Sequence, residues 1–199
     1  EHQSHGAERT MKPQLGDTIL NRYTLVSSLR EEPGIQAWKA NDRVLAKDCQ
    51  LFIITDRSAF AAIDKLAGRI AATRPDRVIP ILKYRMESDV LLIVMPVDSG
   101  QCLTDYMVDT AKPLSYSAIR SIIGECADVL REVIADTPSG IVITTDTVRV
   151  TTSGVQIADA PCATMLADTS ATDLRTDGPE RYAIRQLAAL LYTLLTRTP

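Results

Sequence analysis

The hydrophobic pattern changes period at Pro96-Val-Asp-Ser-Gly100, and that change constrains the fold more than any other feature of the sequence. Before it, apolar residues come in short runs of strand length; after it, they recur at helical spacing. From Ser115 onward, Ile119, Ile122, Ile123, Cys126, Val129, Leu130, Val133 and Ile134 repeat at i, i+3, i+4 and i+7. That spacing predicts a long helix with a wide apolar face, ended by Pro138-Ser-Gly140. Strands first and helices second, parted by a segment with Pro and Gly, predict an α+β chain in two lobes, residues 21–97 and 98–199, behind a flexible tail at 1–20. The 199 residues are 45% hydrophobic and 24% charged, enough for two small lobes sharing a core and too apolar for a disordered chain.

In the first lobe, residues 22–29 form a β-rich run, and a Pro33-Gly34 turn folds it back onto residues 35–40 as a hairpin. Residues 49–55 add a third strand. Ser58 reads as the N-cap of a helix built on Phe60, Ile63, Ala67 and Ile70, which Pro75 stops. Residues 78–84 and 90–95 flank a polar turn, and the second run is apolar throughout, as a strand buried on both faces would be. The expectation is five strands and one helix. In the second lobe, residues 141–143, 148–150 and 155–158 read as short strands, and the polar, Thr- and Asp-rich stretch 160–176 as a surface loop. Asp177-Gly-Pro-Glu180 combines an N-cap, an early proline and an acid. It starts a helix through Leu187, Leu190, Leu191, Leu194 and Leu195 that is apolar on nearly every side. With no later element to cover it, self-association or dependence on further residues is expected.

Several function classes are excluded. The two histidines, His2 and His5, both lie in the polar opening EHQSHGAERT, read as a linker, which leaves the folded body no imidazole for a Ser-His-Asp triad, a Cys-His pair or a His-ligated metal. Cys49, Cys102, Cys126 and Cys162 lie 53, 24 and 36 residues apart without CxxC spacing, against a zinc ribbon or redox pair and in keeping with a reducing cytosol. The 22 basic and 25 acidic residues are interspersed, which leaves no electrostatic footprint for nucleic acid. The longest apolar run, residues 90–97, is far below the roughly 20 residues of a membrane helix, and no signal-peptide pattern precedes the fold. A soluble domain is expected.

Five strands with one helix, a connector, a long helix, a β pair, a polar loop and an apolar helix resemble the element order of a bilobal protein kinase. Arg22-Tyr-Thr-Leu-Val is similar to the opening of bacterial Ser/Thr kinase domains. Ala37-Trp-Lys-Ala-Asn-Asp through Lys47-Asp48 to Phe52 aligns without gaps to their second and third strands. Val155-Gln-Ile-Ala-Asp159 resembles the strand ending in the metal-binding aspartate, and Leu190-Leu-Tyr-Thr-Leu-Leu-Thr196 the end of their central helix. The resemblance spans residues 17–199 and stops before the last helices of a kinase, so it implies a kinase-like fold with a truncated, mainly helical second lobe.

The same resemblance implies that the catalytic positions are degenerate. The glycine-rich loop falls on Arg30, Glu32 and Ile35, where side chains and a carboxylate block the backbone from approaching phosphates. The strand lysine falls on Phe52, an apolar ring in place of a cation, and its acidic helix partner falls near Asp64 or Lys65. The H-R-D triplet falls on Gly140, Ile141 and Val142, and the catalytic-loop asparagine on Thr147; a valine cannot accept a proton. Asp159 is retained, in Asp159-Ala-Pro161 where D-F-G is expected, but one carboxylate is a poor magnesium site. Asp146 reads as a turn residue. No cofactor and no metal are expected.

A kinase fold without its lysine, base and glycines resembles the pseudokinase domain of the actinobacterial lipid II flippase family (MurJ, MviN). The short, Pro-bearing loop Arg30-Glu-Glu-Pro-Gly-Ile-Gln-Ala-Trp38 and the brief connection from Asp159 to the last helix carry that resemblance. It implies a regulatory scaffold in peptidoglycan biosynthesis, tethered to the cytoplasmic face of the plasma membrane. In that family a membrane Ser/Thr kinase phosphorylates a threonine of the domain and a forkhead-associated domain binds it, so the resemblance implies the same two partners here. Candidate acceptors are Thr164, Thr169, Thr172, Thr176, Thr196 and Thr198. Two other readings compete: an atypical phospho- or nucleotidyl-transferase using Asp159 and Asp146, and an unrelated α+β oligomerisation module.

Overall fold

The structure, a computed structural model, describes residues 12–87, 89–108, 113–134, 141–166 and 178–197. The first lobe is a six-stranded sheet, β1 (Thr18–Ile19), β2 (Tyr23–Glu32), β3 (Ile35–Asp42), β4 (Lys47–Ile54), β5 (Lys83–Glu87) and β6 (Val90–Pro96), in the order β1-β2-β3-β4-β6-β5. Every neighbouring pair is antiparallel, and helix α1 (Arg57–Thr73) connects β4 to β5. Beyond residues 97–100 come β7 (Gln101–Cys102), α2 (Leu103–Val108), α3 (Tyr116–Val133), β8 (Val148–Thr151), β9 (Gly154–Ile157), α4 (Ala163–Leu166) and α5 (Pro179–Thr196). A small sheet, β7-β8-β9, faces the connector.

The long apolar run became β6, next to the edge strand β5, its Leu91, Leu92, Ile93, Val94 and Met95 all buried between β4 and β5. Helix α3 starts where its sequence signal stands: the Ser115 hydroxyl accepts the Ala118 N–H at 3.1 Å, and Ile119, Ile122, Cys126, Val129, Leu130 and Val133 are its buried face. Its expected stop at Pro138-Ser-Gly140 lies outside the described residues. The Pro33-Gly34 turn pairs Glu32 with Ile35, as a two-residue hairpin turn should. Gly34 has φ +80, and a Cβ there would stand 2.6 Å from the Asp56 Cβ, so glycine is needed twice over.

Five expectations need correction. The sheet has six strands, not five: β1 is only two residues, too short to show alternation, and pairs with Tyr23 and Thr24 through a turn at Leu20 and Asn21, both with φ 52. The strand expected from Val78 begins at Lys83; Val78 makes a single parallel bridge to Ile157 instead, joining the two halves. The α1 cap is Asp56, not Ser58, and its carboxylate accepts both the Ser58 N–H at 3.0 Å and the Ser58 hydroxyl at 2.6 Å. Residues 141–143 are extended but not a strand, because the Gln186 amide supplies their hydrogen bonds: Ile143 N–H donates to its oxygen at 2.6 Å and its nitrogen donates to Ile141 C=O at 3.3 Å. The start of the expected surface loop is buried: Ala160, Cys162, Ala163 and Leu166 lie in the core, around α4.

Helix α5 is capped by Gly178 with no side-chain bond, whereas Asp177 lies outside the described residues; Pro179 and Glu180 occupy its first turn as expected. Packing against α3 covers one face only. Tyr182, Gln186, Leu190 and Leu194 are buried, while Ile184, Leu191, Tyr192 and Leu195 are exposed. Among the described residues, no helix is long and apolar enough to cross a membrane.

Candidate functional site

A cavity of about 680 Å³ lies between the lobes. The large sheet contributes Leu29, Arg30, Ala37, Gln50 and Phe52, residues 98–102 form one wall, and Asp105, Asp146, Arg149, Asp159 and Leu166 close it from the second lobe. Residues 97–100 must pass close to β8: a Cβ on Gly100 would stand 2.7 Å from the Arg149 Cβ. Arg149 is the hub of this wall. Its Nε donates to Asp98 Oδ2 at 2.7 Å, and its Nη1 donates to the Asp146 carbonyl at 2.5 Å and meets Cys102 Sγ at 3.4 Å. The Arg149 and Asp98 side chains keep only 14% and 16% of their exposure.

Four carboxylates and two guanidinium groups line the cavity, and the cations are already engaged. Arg30 pairs with Glu32 at 3.3 Å and donates to the Leu166 carbonyl across the cleft. Burial pushes the Asp159 carboxyl above its ordinary value; nearby Arg149 opposes the shift, while the charge of Asp98 adds to it. Asp159 also sits at φ +64, a left-handed conformation uncommon for a residue with a side chain. Among the described residues, no three or more His, Cys, Asp or Glu side chains are placed to hold a metal ion.

Comparison with known proteins bears on the fold. No family model matches the sequence, and no curated protein matches it. Among solved structures, Rad53 residues 1–466 in complex with AMP-PNP is similar over 89% of this chain with a TM-score of 0.68, at 15% identity. The fold is protein kinase-like. The chain spans 49% of that neighbour, about half its length.

On this kinase-like frame the sequence-predicted positions fall as follows. Arg30, Glu32 and Ile35 lie on the β2–β3 hairpin, whose ladder pairs Arg30 with Ala37 and Glu32 with Ile35; its tip is tied down, since the Gly34 carbonyl accepts Thr55 N–H at 2.8 Å. Phe52, 1% exposed, lies on β4 in one buried cluster with Ala37, Met95, Ala158, Cys162 and Leu166. Asp64 is half-buried on α1 and Lys65 exposed. Val142 is buried, and the Thr147 hydroxyl is spent on the Val142 carbonyl at 2.7 Å and the Thr144 N–H at 2.9 Å. Gly140 lies outside the described residues, as do Thr169, Thr172, Thr176 and Thr198. Thr164 is half-buried on α4, and the Thr196 hydroxyl donates to Tyr192 C=O at 2.8 Å. The cavity brings Arg30, Phe52 and Asp159 together with Asp146, and leaves Val142 and Thr147 off its lining. Sequence reasoning missed Asp98 and Arg149. A lone arginine between Val148 and Val150 was the available signal, because a charge inside a short apolar strand needs a partner.

Proposed function

We propose that the domain is a catalytically inactive kinase-like scaffold, tethered to the cytoplasmic face of a peptidoglycan lipid II flippase. In this reading a membrane Ser/Thr kinase phosphorylates one of its threonines, and a forkhead-associated domain protein binds the product. The observation that carries the inactivity is Phe52: an apolar ring, 1% exposed, stands where a phosphate-pairing lysine would be needed. A cavity of about 680 Å³ has room for a nucleotide, and what argues against one is the charge of its lining. Polyphosphate would meet Asp98, Asp105, Asp146 and Asp159, with both arginines engaged elsewhere.

The scaffold role and its partners rest on the sequence resemblance to the flippase family's pseudokinase domain. Self-association through Ile184, Leu191, Tyr192 and Leu195 of α5 belongs to the same proposal, and light scattering that finds only monomer at high concentration would remove that part.

Calorimetric titration with ATP and magnesium, repeated with manganese, tests the inactivity. No heat and no thermal shift are expected, and micromolar binding refutes it in favour of an atypical transferase using Asp146 and Asp159, both of which line the cavity. Phosphorylation by a membrane Ser/Thr kinase, site mapping and a pull-down with a forkhead-associated domain test the scaffold. Absence of phosphothreonine-dependent binding overturns it.

A further inference from the structure

The short helix α4 is held from three sides. Its last residue, Leu166, is 4% exposed and shares one buried cluster with Ala37, Phe52, Ile54 and Met95 of the large sheet and Ile63 and Ala67 of α1. Ala158 and Cys162, just before α4, belong to the same cluster, so an apolar core bridges the two lobes behind the cavity. Arg30 reaches from β2 to the Leu166 carbonyl, where the helix end leaves its C=O groups without intrahelical partners. A four-residue helix has little stability of its own, so its position depends on these contacts.

We infer that α4 is a latch: Leu166 seated beneath Phe52's strand and Arg30 gripping the helix's last carbonyl hold the two lobes together, and their release opens the back of the cleft without unfolding either lobe. Release uncovers Phe52 and frees Asp159 from its crowded surroundings. The latch is independent of whether the cleft binds a nucleotide, because it rests on contacts within the chain.

The protein carries its own reporters. Cys162 is buried in the bridging cluster, Cys49 in the cluster of the outer sheet face with Tyr23, Trp38 and Val94, and Cys126 in the cluster of α3 and α5. Burial raises the pKa of all three thiols, to about 11 for Cys49 and about 12 for Cys126, so each reacts chiefly after a local opening. Global unfolding exposes the three together; opening of the latch exposes Cys162 alone.

The test is the rate at which each cysteine of the native chain is alkylated by iodoacetamide, read by mass spectrometry, in wild type, Arg30→Ala, Arg30→Lys and Leu166→Ala. The inference expects Arg30→Ala to raise the ratio of Cys162 labelling to that of Cys49 and Cys126 by about tenfold, with Arg30→Lys retaining part of the protection. Leu166→Ala should raise it further. If Leu166→Ala fails to fold, Arg30→Ala, which leaves the apolar cluster intact, decides alone. Equal acceleration of all three cysteines, or no change at Cys162, overturns the latch.

Discussion

Replacing Asp98 with Ala should destabilise the domain by about 2–4 kcal/mol at pH 7, because it strands a guanidinium that the fold has taken out of water. Exposed ion pairs contribute about 0–1 kcal/mol, whereas removing one partner of a fully buried pair costs about 3–5 kcal/mol. With side-chain exposures of 14% for Arg149 and 16% for Asp98, this pair stands near the buried limit. Arg149 would keep the Asp146 carbonyl at 2.5 Å, which lowers the expected cost somewhat. Arg149→Leu should cost a similar amount, since it strands Asp98 and removes the bond to Asp146 as well. The double variant Asp98→Ala, Arg149→Leu leaves no unpaired charge, so it should be more stable than the sum of the single effects by about 2 kcal/mol. Urea denaturation of wild type, the two single variants and the double variant closes the cycle. A coupling below about 0.5 kcal/mol would refute the reasoning, because it would mean that water reaches the pair and screens it.

Asp42, held by Arg22 at 2.7 Å and by the Val44 and Leu45 N–H groups, has its pKa lowered from 3.8 to about 2, the Arg22 bond being the largest cause. Its folded pKa lies below the unfolded value, so its stabilisation is fully present above about pH 4 and is lost as pH falls toward 2. The size is about 1–2 kcal/mol after allowance for solvent screening of the partly exposed Arg22. Asp42→Asn should erase that pH dependence in urea melts between pH 7 and pH 2, and an unchanged pH profile would count against it. Tyr182→Phe should leave the melting temperature unchanged or raise it, because the buried Tyr182 hydroxyl has no hydrogen-bond partner among the described residues; a loss above about 1 kcal/mol would reveal one. Gln186→Leu should cost about 2–4 kcal/mol in the same assay by leaving Ile143 N–H and Ile141 C=O unpaired inside the core, and a neutral result would show that water takes over.

The large sheet and helices α1, α3 and α5 were legible because each carries a repeated signal: apolar runs in β4 and β6, and i, i+3, i+4 spacing in the helices. Of the short elements, β8 and β9 were legible as apolar runs, whereas β1, β7, α2 and α4 were not, since no periodicity develops over so short a length and long-range contacts hold them in place. The extended stretch 141–143 looked like a strand because Ile-Val-Ile satisfies every local criterion for one; only the distant Gln186 reveals why it joins no ladder. At the site, Phe52, Val142 and Asp159 could be located by alignment to a resembling family, and their burial and surroundings then follow from the structure. Arg149 and Asp98 stayed hidden because their partnership spans 51 residues, and pairwise encounters at that distance leave no trace in local pattern.

Gln186 also sets an order of events during synthesis. Its single amide reproduces what a neighbouring strand would offer, one acceptor and one donor aimed at residues 141 and 143. That amide is made more than forty residues after the backbone groups it serves. Once it has left the ribosome and until Gln186 follows, the nascent 141–143 segment has three β-prone apolar side chains and an unpaired backbone, a combination that recruits strands from other chains. The interval before α5 emerges is therefore when this protein most needs a holdase or a low local concentration.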